Sequence, residues 1–293
     1  MRFSAYDAAF EGFRVTRRHP LAVLAWAAVM LGANVASALA VAAIAGPSWM
    51  EFERISASAS PDTAALAALA PKILPAALVS VLLQMAGAGM VNTSVLRALL
   101  RPERRAWVGF GVDELRVVGL SVMFVAVSFV ASFLLSLVFG VAGMAVAGVA
   151  AIAPLASLVV LVVLAIRFSL AGPMTVGEHR FRFRASWPAT RGWFWPLLGA
   201  ELLAASLALA VVFLAHIIFV SLAGAFVVAQ GGSLLNLPGM FSPDFSTTAQ
   251  LWRPAPLVYV AFISVLYAMV LAILVAPPVE LYRTLRAEDG PQG

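Results

Sequence analysis

The chain has 293 residues, of which 62% are hydrophobic and 11% charged, with a mean hydropathy of +0.98. This composition lies far outside the range of soluble globular domains, so it excludes a soluble enzyme or binding module. Cysteine is absent, which excludes disulfides and thiolate metal sites.

Five runs without Asp, Glu, Lys or Arg organise the sequence; they cover residues 19–50, 73–96, 117–166, 202–243 and 254–279. A spanning helix needs about 20 mostly apolar residues, so each run holds at least one. The third run is long enough for two, with Gly140, Gly143 and Gly148 supplying the turn between them. We therefore predict a single all-α membrane domain over 1–293, with six spans near 21–45, 74–99, 116–139, 150–172, 194–222 and 255–281.

The charges outside these spans are distributed asymmetrically. With a cytoplasmic N-terminus, six spans form three in–out–in hairpins, and sixteen of the nineteen Arg and Lys then face the cytoplasm. The outer loops keep only Arg54, Lys72 and Arg253. This asymmetry follows the positive-inside rule and predicts that both termini are cytoplasmic. Because the basic residues lie between spans, the net charge of +5 predicts lipid contact rather than nucleic-acid binding.

The N-terminal segment allows two interpretations. Residues 36–40 resemble a signal-peptidase site, but cleavage there implies a leader of about 40 residues, longer than the usual 15–30. We therefore expect an uncleaved first span. Ahead of it, Phe3, Tyr6, Phe10 and Phe13 recur at helical spacing, which predicts an amphipathic helix lying in the membrane interface. Similar Arg- and aromatic-rich stretches at 103–115 and 180–192 precede the other two hairpins.

Three ionisable residues lie inside or at the edge of predicted spans. Arg167 and Glu201 reach about the same depth on sequence-adjacent helices, which predicts an intramembrane polar pair. Such a pair is either a gate or proton-coupled site, or a structural clamp, and snorkelling of Arg167 to lipid phosphates is a third reading. His216 is a titratable candidate, with a neutral packing role as the alternative.

The segment from 180 to 195 interleaves Arg with aromatic residues. Its position between two spans predicts anchoring at the membrane surface, with Trp in the aromatic belt and Arg on anionic headgroups. The predicted lipid-headgroup contacts are Arg180, Arg182, Arg184, Trp187, Trp193 and Trp195.

Part of the fourth and fifth span region is similar to a known family. The resemblance rests on three stretches, Arg167 to Pro173 with Val176 and Glu178, then Ala185-Ser186-Trp187, then Thr190-Arg191-Gly192 with Phe194-Trp195. They resemble the membrane domain of some bacterial glycerophosphodiester phosphodiesterases and the stand-alone six-span YciC-like proteins. The resemblance implies a helical inner-membrane domain with no established activity for the stand-alone members.

Signatures of catalysis are missing from the sequence. It contains no zinc-protease, P-loop or nucleophile-elbow motif, and His19, His179 and His216 are too scattered for a metal site. The phosphodiesterase barrel of the similar family has no counterpart of its size here. We therefore predict no enzyme activity, cofactor or metal.

Two functions remain open. The first is a non-catalytic envelope or lipid-associated scaffold or regulator, in contact with the bilayer, with anionic lipids and with a membrane protein that the sequence does not identify. The second is a transporter or flippase for a small solute or lipid. A third and weaker reading is an enzyme acting on lipid headgroups. A helix arrangement that gathers polar side chains around one cavity favours transport. The polar residues concerned are Asn34, Gln84, Asn92, Arg167, Glu201 and His216.

Overall fold

A computed structural model describes residues 3–101, 108–109, 111–146 and 148–288. Over this part of the chain the protein is all-α, as predicted, with short 3-10 turns at Val149–Ile152, Leu234–Asn236 and Gln250–Trp252. The helices are α1 Ala5–Arg18, α2 Pro20–Ser56, α3 Thr63–Leu100, α4 Val112–Ala145, α5 Ala153–Phe168, α6 Ala171–Glu178, α7 Phe183–Ala189, α8 Phe194–Ala229, α9 Leu237–Phe241 and α10 Pro254–Glu288.

Six helical segments are long and apolar enough to cross a membrane, and they confirm the predicted number. They correspond to α2, α3, α4, α5 together with α6, α8 and α10. The protein is therefore a multi-pass membrane protein in contact with the lipid bilayer. The six predicted spans each fall within or across one of these segments, although the helices extend beyond the predicted limits.

The loop between the first two spans is much shorter than the predicted span limits imply. Only residues 57–62 separate α2 from α3, and α2 continues through Pro47 while α3 passes Pro71 and Pro75. The 37 residues of α2 span roughly 55 Å, well beyond the roughly 30 Å of a bilayer core. The added residues of α3, from 63 to 72, are rich in alanine, the strongest helix former, whereas those of α2, from 46 to 56, contain none.

The turn between the third and fourth predicted spans also lies later than expected. Gly140 and Gly143 are inside α4, which continues to Ala145. Of the three predicted turn glycines, only Gly148 has a backbone conformation that favours glycine, with φ of +86°. A glycine without such a φ is tolerated inside a helix, so the number of glycines was a poor guide to the turn.

The helix α1 confirms the predicted N-terminal helix. Its buried residues are Ala8, Ala9, Gly12 and Val15, whereas Tyr6 is exposed. A methyl group added at Gly12 would overlap the backbone of Ile273 in α10, so glycine allows the two helices to touch. The predicted stretch 103–115 lies partly outside the described residues, because 102–107 and 110 are not among them.

The chain divides into two compact units. Unit 1 comprises Met1–Arg18, Asn92–Ser206 and Leu271–Gly293, and unit 2 comprises His19–Val91 and Leu207–Val270. In unit 1, a core cluster centred on Leu170, Leu197 and Leu281 joins α6, α8 and α10. In unit 2, Val41, Ala45 and Ala76 join α2 and α3. The division does not test whether the membrane domain is single, which stays a prediction.

Candidate functional site

Unit 1 contains a cavity of about 330 Å³ between its helices. Its wall is mostly apolar and includes the aromatic rings of Phe124, Phe168 and Phe183. Phe168 and Phe183 stack face to face, with ring centroids 4.1 Å apart. The residues lining the cavity come from α3 (Asn92, Leu96), α4 (Val117, Leu120, Ser121, Phe124, Val125), α5 to α7 (Ala165, Phe168, Ser169, Ala171, Gly172, Pro173, Phe183), α8 (Glu201) and α10 (Leu274, Val275, Pro278).

Four polar side chains line this cavity, and two of them donate to their own helices. Ser121 Oγ donates to the carbonyl of Val117 at 3.1 Å, and Ser169 Oγ donates to that of Ile166 at 2.8 Å. The other two are acceptors without donors. Asn92 Oδ1 is buried and has no hydrogen-bond partner, and the Glu201 carboxylate accepts no hydrogen bond from any described residue. The cavity therefore presents acceptors and a potential negative charge.

Two prolines lie at this cavity. Pro278 is inside α10 and has no N–H to donate to the carbonyl of Leu274, four residues earlier. Pro173 is in the first turn of α6, where a missing N–H costs the helix no hydrogen bond, and Ser169 lies four residues before it. All four residues line the cavity. Helix interruptions of this kind are tolerated at membrane depth where the freed backbone groups are buried in protein or face a cavity.

Arg167 and Glu201, predicted as a polar pair, are not brought together by a hydrogen bond or ion pair between these two described residues. Arg167 instead donates to Thr190 Oγ1 at 3.4 Å, and its guanidinium lies over the rings of Trp187 and Phe194 at 5.6 and 5.3 Å. These contacts resemble the structural clamp considered above, with different partners. What either charge does in function stays a prediction.

The residues behind the family resemblance form one local structure around Arg167. Ser186 Oγ donates to the Arg167 carbonyl at 2.7 Å, and Thr190 Oγ1 donates to the carbonyl of Trp187 at 3.0 Å. Gly192 has φ of +83°, a conformation that favours glycine at the start of α8. Much of the motif therefore has a packing role, connecting α5, α7 and α8.

His216 lies in an aromatic cluster of unit 2. Its Nδ1 is 2.9 Å from the carbonyl of Val212, one turn earlier in α8. The ring contacts Phe262 edge to face at 5.3 Å and Tyr259 at 6.4 Å. The sequence offers a titratable site and a packing histidine as alternatives for this residue, and the choice between them stays a prediction.

A second polar group of unit 2 is satisfied by its own members. Gln84 Nε2 donates to Asn34 Oδ1 at 2.8 Å, and Asn34 Nδ2 donates to Ser264 Oγ at 3.0 Å. Ser264 in turn donates to the carbonyl of Val260 at 2.7 Å. The cavity beside Asn34 measures about 30 Å³, enough for one water molecule.

The Arg- and aromatic-rich segment surrounds a second cavity of unit 1, of about 380 Å³. Arg182 and Arg184 line it together with Met123, Phe181, Phe183 and Ala185. Arg182 Nε donates to Glu178 at 2.7 Å, whereas Arg184 is exposed and has no hydrogen bond or ion pair to any described residue. The Phe181 ring lies against α4 at Gly119. One uncompensated guanidinium therefore borders an apolar helix face.

The remaining predicted headgroup contacts differ in exposure. Arg180 is exposed and also has no partner among the described residues. Trp195 is 76% exposed and Trp187 is 39% exposed, while Trp193 is only partly exposed and packs edge to face on Phe3 at 5.9 Å. Whether these residues contact lipid headgroups stays a prediction.

Sequence reasoning missed an ion-pair network between α3 and α4. Arg97 forms two hydrogen bonds with the buried carboxylate of Glu114, at 2.5 and 3.0 Å. Asp113 accepts from Arg116 at 2.7 Å and lies 2.9 Å from His179 Nδ1, whose Nε2 is 2.9 Å from Arg101. The sequence contains a signal for this network, because Asp113 and Glu114 lie in the first turn of α4 and Arg97 lies in the last turn of α3.

Comparisons with known proteins add no assignment. Within the part of the chain described, no three His, Cys, Asp or Glu side chains are grouped so as to hold a metal ion. No protein-family model, curated protein or solved structure matches this chain.

Proposed function

We propose that this multi-pass membrane protein is a non-catalytic scaffold or regulator that binds anionic phospholipid at the cytoplasmic leaflet. The observation that carries the proposal is the 380 Å³ cavity, in which the unpaired guanidinium of Arg184 adjoins Phe181 and Met123. A phosphate oxygen accepts charge-assisted hydrogen bonds from a guanidinium, and an acyl chain suits the apolar side.

The surface next to this cavity fits an acyl chain. On α4, Val122, Val125 and Phe129 are exposed by 46%, 53% and 70%, and the exposed apolar surface continues to Phe133. An exposed apolar helix face within a membrane protein is solvated by lipid tails. A phospholipid can therefore place its phosphate at Arg184 and its acyl chain on the apolar face of α4.

The charge distribution supports the choice of leaflet. The predicted cytoplasmic segments hold sixteen of the nineteen basic residues, and the cytoplasmic leaflet is the anionic one. The resemblance to the membrane domain of the phosphodiesterases agrees with a bacterial inner-membrane protein without its own catalytic centre. In this proposal, the predicted headgroup contacts between residues 180 and 195 hold lipid, or hold a protein partner through lipid.

The proposal is tested by replacing Arg184. We expect Arg184→Gln to reduce phosphatidylglycerol retained over phosphatidylcholine by about fivefold, because one basic residue near an anionic surface contributes about 1 kcal/mol. Native mass spectrometry of the full-length protein from mixed-lipid nanodiscs gives the ratio. Arg191→Gln is the matched control, since Arg191 is exposed but does not line the cavity. Equal retention in Arg184→Gln and wild type would overturn the proposal.

A second candidate function, transport or lipid flipping, is favoured by one observation. Of the six polar residues named as possible pathway groups, Asn92 and Glu201 share the 330 Å³ cavity. Reconstitution with fluorescent phosphatidylethanolamine measures flipping as loss of protection from an external quencher. Faster loss than in protein-free vesicles, abolished in Glu201→Gln, supports this candidate. If the fluorescent lipid loses its protection at the same rate as in protein-free vesicles, lipid flipping is excluded.

A further inference from the structure

We infer that the 330 Å³ cavity of unit 1 binds a ligand that carries a primary ammonium group, held by Glu201 and Asn92. The inference does not depend on the anionic-lipid proposal. Among the described lining residues the two cavities share only Phe183, and their charges are opposite.

The sign of the ligand charge follows from the polar groups of the wall. Among the described residues, no Arg, Lys or His lines this cavity, while Glu201 supplies a carboxylate and Asn92 Oδ1 is buried without a donor. The hydroxyl hydrogens of Ser121 and Ser169 are engaged by their own helices. An anionic ligand would find no positive charge here, and a ligand without N–H or O–H groups would leave the acceptors unpaired. A positively charged donor satisfies both conditions.

The number of acceptors suits a group with several N–H donors. A primary ammonium has three, and the cavity wall holds the Glu201 carboxylate and Asn92 Oδ1. Ser169 and Leu274, four residues before Pro173 and Pro278, also line it. Discontinuous helices supply backbone carbonyls to cations in membrane transporters by the same physics. A quaternary ammonium has no N–H and would leave these acceptors unpaired.

The apolar part of the cavity wall indicates what the rest of the ligand, beyond the ammonium group, looks like. Phe124, Phe168 and Phe183 offer ring surfaces that attract a cation by cation–π interaction and an apolar group by burial. A volume of about 330 Å³ is at the small end of ligand pockets. The space therefore fits one ring or short chain beside the ammonium group, either of a soluble amine or of a phosphatidylethanolamine headgroup.

The soluble source is tested with phenethylamine on the full-length protein in detergent, by isothermal titration calorimetry. 2-Phenylethanol and phenylacetate are the neutral and anionic controls of the same shape. We expect the amine to bind roughly tenfold or more tightly than either, as one charge-assisted contact implies. Glu201→Gln should remove this preference, whereas Glu288→Gln, an exposed carboxyl of α10 outside the cavity, should keep it.

The lipid source is tested by native mass spectrometry of nanodiscs that contain phosphatidylethanolamine and phosphatidylcholine in equal amounts. Retention of phosphatidylethanolamine over phosphatidylcholine, lost in Glu201→Gln, assigns the ammonium to a headgroup. Asn92→Leu is the second variant, expected to weaken either preference about fivefold while leaving the carboxylate in place. The inference is overturned if neither amine is preferred over its control, or if the preference survives in Glu201→Gln. An altered Arg184→Gln phenotype bears only on the anionic-lipid proposal.

Discussion

Two sets of polar side chains, one in each unit, are arranged in contrasting ways. In unit 2, Gln84, Asn34 and Ser264 donate and accept in sequence, and the adjoining cavity is water-sized. In unit 1, Asn92 and Glu201 line a cavity of about 330 Å³ instead of about 30 Å³, and neither acceptor has a donor among the described residues. Both sets contain residues of helix α3, so the contrast is not one of sequence composition.

The difference separates packing from binding. Polar side chains that satisfy one another hold apolar helices in register, which is ordinary chemistry in membrane bundles. Polar side chains that face a cavity without partners cost stability in the empty protein and gain it when a complementary ligand binds. Substitutions in the two sets should therefore have opposite effects on stability and on ligand binding.

The largest effect is expected from Arg97, a paired cation of unit 1. Arg97→Met should lower the free energy of unfolding by about 3–5 kcal/mol, because the Glu114 carboxylate, 5% exposed, would lose its cation. Equilibrium unfolding by dodecyl sulfate in mixed micelles measures the change. The double variant Arg97→Met/Glu114→Gln should lose less than the sum of the single losses, and strict additivity would mean that the pair is not coupled.

Two substitutions in α3 test the contrast directly. Gln84→Leu should cost about 1–3 kcal/mol, because Asn34 Oδ1 would lose its donor inside the unit 2 cluster. Asn92→Leu should cost nothing or stabilise the protein, because it removes a buried oxygen without a partner. The same unfolding measurement compares them. Equal losses in the two variants would break the distinction between satisfied and unsatisfied groups.

A smaller effect is expected at His216. His216→Phe should change the free energy of unfolding by about 0.5 kcal/mol, because the substitution keeps the edge-to-face packing on Phe262 and loses one contact within the helix. Thermal unfolding in detergent is sufficient to measure it. A loss of several kcal/mol, or loss of lipid or amine binding, would show that the histidine does more than fill space.

Substitution of Glu201 is expected to have the smallest effect on stability and the largest effect on amine binding. Glu201→Gln should leave the free energy of unfolding within about 0.5 kcal/mol of wild type, since the carboxylate has no hydrogen bond or ion pair to a described residue that the substitution would remove. The same variant should abolish the preference for phenethylamine. A marked destabilisation of Glu201→Gln without ligand would point to a structural role for the carboxylate.

The sequence predicted which polar residues lie at membrane depth more readily than it predicted their hydrogen-bond or ion-pair partners. Glu201 was recognised as a charge at membrane depth, but its supposed partner Arg167 contacts Thr190 and two aromatic rings instead. Depth along a helix is readable from residue spacing, whereas the direction of a side chain around the helix depends on neighbouring helices. Asn92 was one of several polar residues in its span, and nothing in the sequence separates it from Gln84, which is satisfied.

The number of spans and the uneven placement of charge can be read from the amino-acid sequence. Both follow from the cost of charge in hydrocarbon, a property of each residue that needs no knowledge of its neighbours. Helix packing, in contrast, sets which polar groups have partners and which face a cavity. That outcome depends on residues far apart in the chain, such as Asn92, Glu201 and Pro278, being brought to one wall by helix packing.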